Sequence, residues 1–171
     1  MWPILVPRSA LILGNDEGGI ECFDAMSGEQ LWVRIGTQRN RAVNGLLIDP
    51  SSQTIFAAHC SVVRMLDAET GTELWSRRCS TLDPRLYSSS TWASFDPCGR
   101  RVAVDTLRDG GLEMLEKETG KKLWHYRFFS EPRFTPNGKW LLTTEKDPLT
   151  GYSIVLLDAT LGIVIVKVLD I

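Results

Sequence analysis

Short apolar runs of about four residues recur along the chain, each stopped by a turn rich in Asp, Gly or Pro. Runs of this length between turn signals read as strands. Leu11–Leu13 and Val62-Val63 are continuously apolar. A sheet with one wet face would alternate, so these strands are expected in sheets covered on both faces.

Four segments align without a gap: Cys22–Trp32, Met65–Trp75, Met114–Trp124 and the more degenerate Leu156–Val166. In each, an apolar strand (Ile20–Phe23, Val62–Leu66, Leu112–Leu115, Ile154–Leu157) runs into Asp24, Asp67, Glu116 or Asp158. Such a carboxylate can accept backbone N–H groups inside the following turn. Gly28, Gly71, Gly120 and Gly162 then supply a positive φ that closes the loop without Cβ strain. The next strand carries Trp32, Trp75 or Trp124 in three of the copies. An indole recurring at one strand position is expected to pack into the seam between neighbouring sheets. The glycines lie 43, 49 and 42 residues apart, one four-stranded unit per step.

A second element lies upstream in the units: Ile48–Ser52, Phe95–Gly99 and Phe134–Gly138. Pro50, Pro97 and Pro136 preset φ at the second position of a tight turn, and Gly99 and Gly138 accept the left-handed region later in it. The strands Thr54–Ala58, Arg101–Asp105 and Trp140–Thr144 follow, and Pro7 with Leu11–Gly14 forms a worn first copy. Each unit is therefore predicted as inner strand, Pro turn, second strand, loop, third strand, Gly turn, outer strand. Leu112, Leu115 and Glu116 alone fit a short helix, but their register with the other copies predicts a strand.

The 171 residues carry 43% hydrophobic and 23% charged side chains with a net charge of −2. This balance can build a core, and it supplies no overall field for nucleic acid or an anionic membrane surface. The apolar runs are far shorter than the roughly 20 residues that cross a bilayer. Residues 1–8 have no basic residue before the apolar stretch, which Pro7 interrupts, so no signal peptide is read and a cytoplasmic location is expected. Cys22, Cys60, Cys79 and Cys98 show neither zinc nor redox spacing and are read as ordinary thiols of a reducing compartment.

The 11-residue segments resemble the tryptophan-docking repeat of PQQ-like β-propellers: small or apolar residue, x, Asp, x, x, Thr, Gly, x, x, x, Trp. Matches stand at Asp24, Ser27, Gly28 and Trp32; at Asp67, Thr70, Gly71 and Trp75; at Thr119, Gly120 and Trp124; and in part at Asp158 and Gly162. The Asp-Pro turns resemble those of WD40-type propellers, although no Gly-His or Trp-Asp dipeptide is present. The resemblance covers essentially the whole chain. It implies an all-β propeller of about four four-stranded antiparallel blades, as an open arc or part of a larger propeller. The expected domain is a single one over 1–171, with blades at about 1–36, 42–78, 89–128 and 132–169.

The family's usual circle has six to eight blades. An open arc leaves two bare faces; if each exposes on the order of 500 Å², about 12 kcal/mol of burial per face is unrealised. A protein partner or self-association that completes the ring is therefore expected. A closed four-blade ring is the remaining option, but similar small propellers are clasped by a disulfide between their ends, and the last cysteine here is Cys98. The function the resemblance implies is a non-catalytic platform for protein–protein interaction, with no cofactor, no metal, no nucleic acid and no membrane partner. The alternative is a fragment or relative of a PQQ-dependent quinoprotein oxidoreductase. Such enzymes use an adjacent pair of cysteines, a calcium and an Asp base; no two cysteines here are neighbours.

Few residues suggest chemistry. His59 beside Cys60 lacks a third ligand at suitable spacing, and His125 is read as a surface residue of an outer strand. Gly18-Gly19 and Gly110-Gly111 are read as turns. Loops between second and third strands and between blades gather on one face of a propeller, where ligands bind. They hold Asn15, Asp16, Glu17, Asp105, Arg108, Asp109, Lys146 and Asp147, with Asn40, Arg77 and Asp83 between blades. Arg39, Arg41, Arg78 and Arg85 there could hold an acidic peptide, against the simpler reading of solvated loop charges. The apolar strand Ile163–Val168 is either covered by a partner or neighbouring blade, or is the outer strand of a degenerate repeat.

Overall fold

A computed structural model describes residues 2–6, 10–36, 42–59, 62–78, 92–105, 111–127, 129–147 and 151–169. Among them are sixteen strands in four antiparallel sheets, and no helix. The first sheet comprises β1 (Trp2–Val6), β2 (Ala10–Gly14), β3 (Ile20–Asp24) and β4 (Gln30–Arg34). The second comprises β5 (Gly45–Ile48), β6 (Thr54–His59), β7 (Val62–Asp67) and β8 (Glu73–Arg78). The third comprises β9 (Ala93–Phe95), β10 (Arg101–Asp105), β11 (Gly111–Glu116) and β12 (Lys122–Arg127). The fourth comprises β13 (Phe129–Phe134), β14 (Trp140–Asp147), β15 (Gly151–Asp158) and β16 (Val164–Leu169). Strands of each sheet follow one another in chain order, so each is a propeller blade, and the fold is all-β as the sequence predicts.

The chain divides into two compact units, Met1–Thr91 and Trp92–Ile171, of two blades each. The core of each unit is the seam between its own blades. In the first, Ile12, Ile20 and Cys22 of blade 1 pack with Val43, Leu46, Ile55, Ala57 and Leu66 of blade 2. In the second, Ala103, Leu112 and Met114 of blade 3 pack with Leu141, Val155, Leu157 and Ala159 of blade 4. All six residues of β6 are buried, whereas β8 alternates between half-buried and exposed, so burial fades from the middle strands to the outer edge.

The turns follow from their side chains. The Oδ1 of Asp24 accepts the N–H groups of Met26 (2.9 Å) and Ser27 (2.7 Å). Asp67 does the same for Glu69 and Thr70, and Asp158 for Thr160 and Leu161. Gly28, Gly71, Gly120 and Gly162 close these turns with φ between 67° and 73°. In the Pro turns, buried Asp49 accepts the N–H groups of Gln53 and Thr54, and buried Asp96 those of Arg100 and Arg101. Ser52 takes the left-handed position held by Gly99 and Gly138 in the next two copies. The two turns of a blade are also tied together: Ala68 N–H donates to Gln53 O, Lys117 N–H to Arg100 O, and Ala159 N–H to Lys139 O.

These hydrogen bonds hold three carboxyls below the usual carboxylate range. For Asp24 and Asp158 the main cause is a backbone N–H, from Ser27 and Leu161; for Asp67 it is the Thr70 hydroxyl. A carboxyl depressed in the folded state contributes stability above its unfolded value and loses it as pH falls through the folded one. Stability is therefore expected to fall from about pH 4 downward. The gap between urea midpoints at neutral and acid pH should narrow in the triple variant Asp24→Asn, Asp67→Asn, Asp158→Asn, because the amide oxygen still accepts the bond but does not titrate. An acid loss as large in the variant as in the parent would refute this assignment.

Candidate interaction surface

The outer hairpin of every blade carries the same irregularity. The register between third and outer strand shifts at Cys22/Phe23, Met65/Leu66, Met114/Leu115 and Leu156/Leu157. Cys22 faces Trp32 while Phe23 faces Gln30, which leaves Leu31 as the extra residue; Leu74, Leu123 and Ile165 are its counterparts. A bulge of this kind re-aims the side chain beside it. Leu31, Leu74 and Leu123 stand exposed there while the residues that follow them, Trp32, Trp75 and Trp124, are half-buried; in blade 4 both Ile165 and Val166 are exposed.

The two seams that lie within the units are built alike. Trp32 donates its Nε1–H to Ala68 O (3.3 Å), and Trp124 donates to Ala159 O (3.2 Å). A Cβ on Gly71 would stand 2.6 Å from Cε3 of Trp32, and one on Gly162 would stand 2.6 Å from Cδ2 of Trp124. Each indole thus seats on the glycine of the next blade's turn, which leaves no room for a side chain. Charged groups reinforce the contact. Arg34 of blade 1 and Arg64 of blade 2 both bind Oε2 of Glu73. Burial alone would raise the Glu73 carboxyl, but the Ser76 hydroxyl and the two guanidinium groups outweigh it and hold it low. In the second unit Arg101 binds Asp96 Oδ2 (3.0 Å) in its own blade and donates to Ala159 O (2.8 Å) and Gly138 O (3.0 Å) of blade 4.

The register assigns every seam residue a counterpart in blade 4. Ile12, Cys22 and Trp32 stand in line across blade 1, and Leu142, Leu156 and Val166 occupy those places in blade 4. Ile20 corresponds to Ile154, and Arg34 to Val168. In blade 1 this face is covered: Ile12, Ile20 and Cys22 are at most 1% exposed. In blade 4 it is open: Leu142 is 43%, Ile154 51%, Val166 48% and Val168 56% exposed, with Tyr152 beside them. A contiguous apolar sheet face of this kind is the candidate interaction surface among the described residues.

Trp75 sits on β8 opposite Met65, in the register of Trp32, and Gly120 is buried in its turn. Of the loop arginines, Arg78 is exposed at the end of β8, while Arg39, Arg41 and Arg85 lie outside the described residues. Asn40, Cys60, Cys79, Asp83, Arg108 and Asp109 lie outside them too. Asn15 caps the β2–β3 loop by accepting from Glu17 and Gly19 N–H, and Asp16 and Glu17 are exposed there. His59 and Asp105 are buried at strand ends, and His125 is exposed on β12. Burial pushes the Cys22 thiol up, which leaves it unreactive. Among the described residues no cluster of His, Cys, Asp or Glu could hold a metal, and no helix is long and apolar enough to cross a membrane. The bare face of blade 4 was hinted at by Ile163–Val168 in the sequence. Its inner part, Leu142, Tyr152 and Ile154, was not, because seam residues and exposed ones look the same until the register is known.

Sixteen strands in four blades, with an indole-on-glycine seam in each unit, define a β-propeller fold of the PQQ-like type. A family model described as outer membrane protein assembly factor BamB matches residues 2–149, and the chain belongs to that family. The crystal structure of BamB from Moraxella catarrhalis superposes with a TM-score of 0.70 at 17% identity, over 96% of this chain and 50% of that one. The β-propeller domain of Myceliophteria thermophila Cps50 (Swd1) gives 0.73 at 11% identity, over 98% and 56%. The serine/threonine-protein kinase AfsK of Streptomyces griseus is 26% identical over 141 residues, 75% of this chain and 16% of the kinase. The chain thus spans about half of the two similar structures and a small part of the kinase.

Proposed function

We propose that this chain is a non-catalytic propeller platform that binds protein, and that the bare face of blade 4 makes the contact. One observation carries the reading: the face buried by a neighbour in blade 1 is open in blade 4, with apolar side chains in the same register. Membership of a family described as an assembly factor supports a role that consists in contact with other proteins. A rigid sheet offering aliphatic side chains binds by excluding water, so no covalent step is needed.

A photo-crosslinking residue at Tyr152, which is 54% exposed on this face, tests the reading. In cells it is expected to give a discrete protein adduct, while the same residue at exposed Glu29 in the blade 1 turn is a second reporter position. Val166→Glu should abolish the Tyr152 adduct without changing the unfolding midpoint. No adduct at Tyr152, or one indifferent to Val166→Glu, overturns the proposal.

A further inference from the structure

The reading of blade 4 as an interaction surface leaves its partner unnamed, and the Gly turn of blade 1 supplies one. We propose that the bare face of blade 4 docks onto the Asp24–Gly28 turn of blade 1 in a second copy of this chain. The inter-chain contact then repeats the seams already present inside each unit. This inference rests on the preceding one.

Blade 1 presents an empty seat. Gly28 has φ +73°, within a few degrees of Gly71 and Gly162, and Ala25 stands where Ala68 and Ala159 offer their carbonyls to an indole. Yet a Cβ on Gly28 would meet nothing within 4 Å, and Ala25 is exposed. The turn has the shape and chemistry of a docked one without the neighbour.

Two substitutions relative to the other blades fit each other. In the second unit Arg101 approaches Thr160 Oγ1 at 3.4 Å across the seam. Blade 4 has Trp140 in the register of Arg101, since Arg101 pairs with Glu116 and Trp140 with Asp158. Blade 1 has Met26 in the place of Thr160, two residues after the acidic residue of the turn. Met26 is 86% exposed, whereas blades 2 and 3 carry Glu69 and Glu118 there. The polar pair of the inner seam is thus replaced on both free surfaces by an indole and a thioether, which attract one another. Val166, standing where the other blades have Trp, leaves room above Gly28. Trp140 and Met26 fill it, so the indole comes from β14 instead of β16.

Because the two surfaces differ, the association is head to tail, and each copy uses one of each. Light scattering on the chain at about 100 µM, well above the micromolar constants common for interfaces of modest size, is expected to give twice 19.2 kDa or a higher multiple. Gly28→Asn fills the seat with a side chain at a φ that asparagine tolerates, and Val166→Glu blocks the face; both positions are exposed, so the fold should hold in each. Each variant alone is expected to run as one chain. Mixed in equal amounts, they should form a pair and nothing larger, since one intact face and one intact seat remain. A single-chain mass for the parent, a multiple that survives either variant, or no recovery on mixing overturns the proposal. A parent that stays single while Tyr152 still crosslinks to a different protein would remove the second copy and leave the interaction reading standing. Failure of both experiments removes both.

Discussion

Trp32→Ala or Trp124→Ala is expected to lower the unfolding free energy by about 3 kcal/mol, at the lower end of the range for large aromatic truncations because both rings are only half-buried. Two losses add. The ring leaves a void against Gly71 or Gly162, whose missing Cβ makes the seat, and the turn behind it is held by its own hydrogen bonds and cannot collapse into the space. The carbonyl of Ala68 or Ala159 also loses the indole donor. Trp32→Phe separates these terms, since it keeps most of the ring and removes the donor; a loss of about 1 kcal/mol is expected. Leu31→Ala, next in the chain but 54% exposed on the bulge, should change stability by no more than about 0.5 kcal/mol. Urea unfolding followed by circular dichroism measures all three. Equal effects at Leu31 and Trp32 would mean that the indole is not what seals the seam.

The contrast between Leu31 and Trp32 also shows where sequence reading stops. The acid-to-glycine turn was legible because its physics is local: Asp24 bonds to N–H groups two and three residues on, and Gly28 supplies a φ that few other residues take. The order of strands followed from repetition of that turn and of the Pro turn. The bulge was not legible. Adjacent residues of a strand face opposite ways in any case, and nothing in the pair Leu31-Trp32 says that the extra residue falls at Leu31 or which of the two is buried. The ring's seat on the next blade was readable as an expectation because an aromatic recurred at one place. That its contact is a bare glycine could be seen only when Gly71 and Trp32 were in one frame. The clamp of Arg101 was missed for a different reason: its counterparts are Ala10, Thr54 and Trp140, so it has no repeat signal and reads as an ordinary surface charge. The open face of blade 4 was only partly visible, since Leu142 and Ile154 are as apolar as the Ile12 and Ile20 that fill the same positions in a covered blade.

Arg101 is the other residue whose removal should be severe. Its guanidinium ties three groups that no neighbour can serve together: the carboxylate of Asp96 in its own blade, and the carbonyls of Gly138 and Ala159 in blade 4. Asp96 is 3% exposed and already takes the N–H groups of Arg100 and Arg101 on one oxygen; the other depends on the guanidinium. Removing one partner of such a pair leaves a charge without its counterion in a site poorly reached by water. Arg101→Met, which keeps the aliphatic stem but loses the guanidinium that stands over the Phe134 ring, is expected to cost about 3 kcal/mol, toward the lower limit for a broken buried pair because the Arg101 side chain is 20% exposed. Arg101→Lys should recover only part of this, since an ammonium cannot reach a carboxylate and two carbonyls with the fork of a guanidinium. The double variant Arg101→Met, Asp96→Asn tests the cause. With the stranded charge gone, it should be more stable than Arg101→Met alone, although Asn retains only one acceptor oxygen and loses strength toward the turn N–H groups. If the double variant falls below the parent by the full sum of the two single losses, the two residues act independently and the clamp is not an ion pair in its energetics.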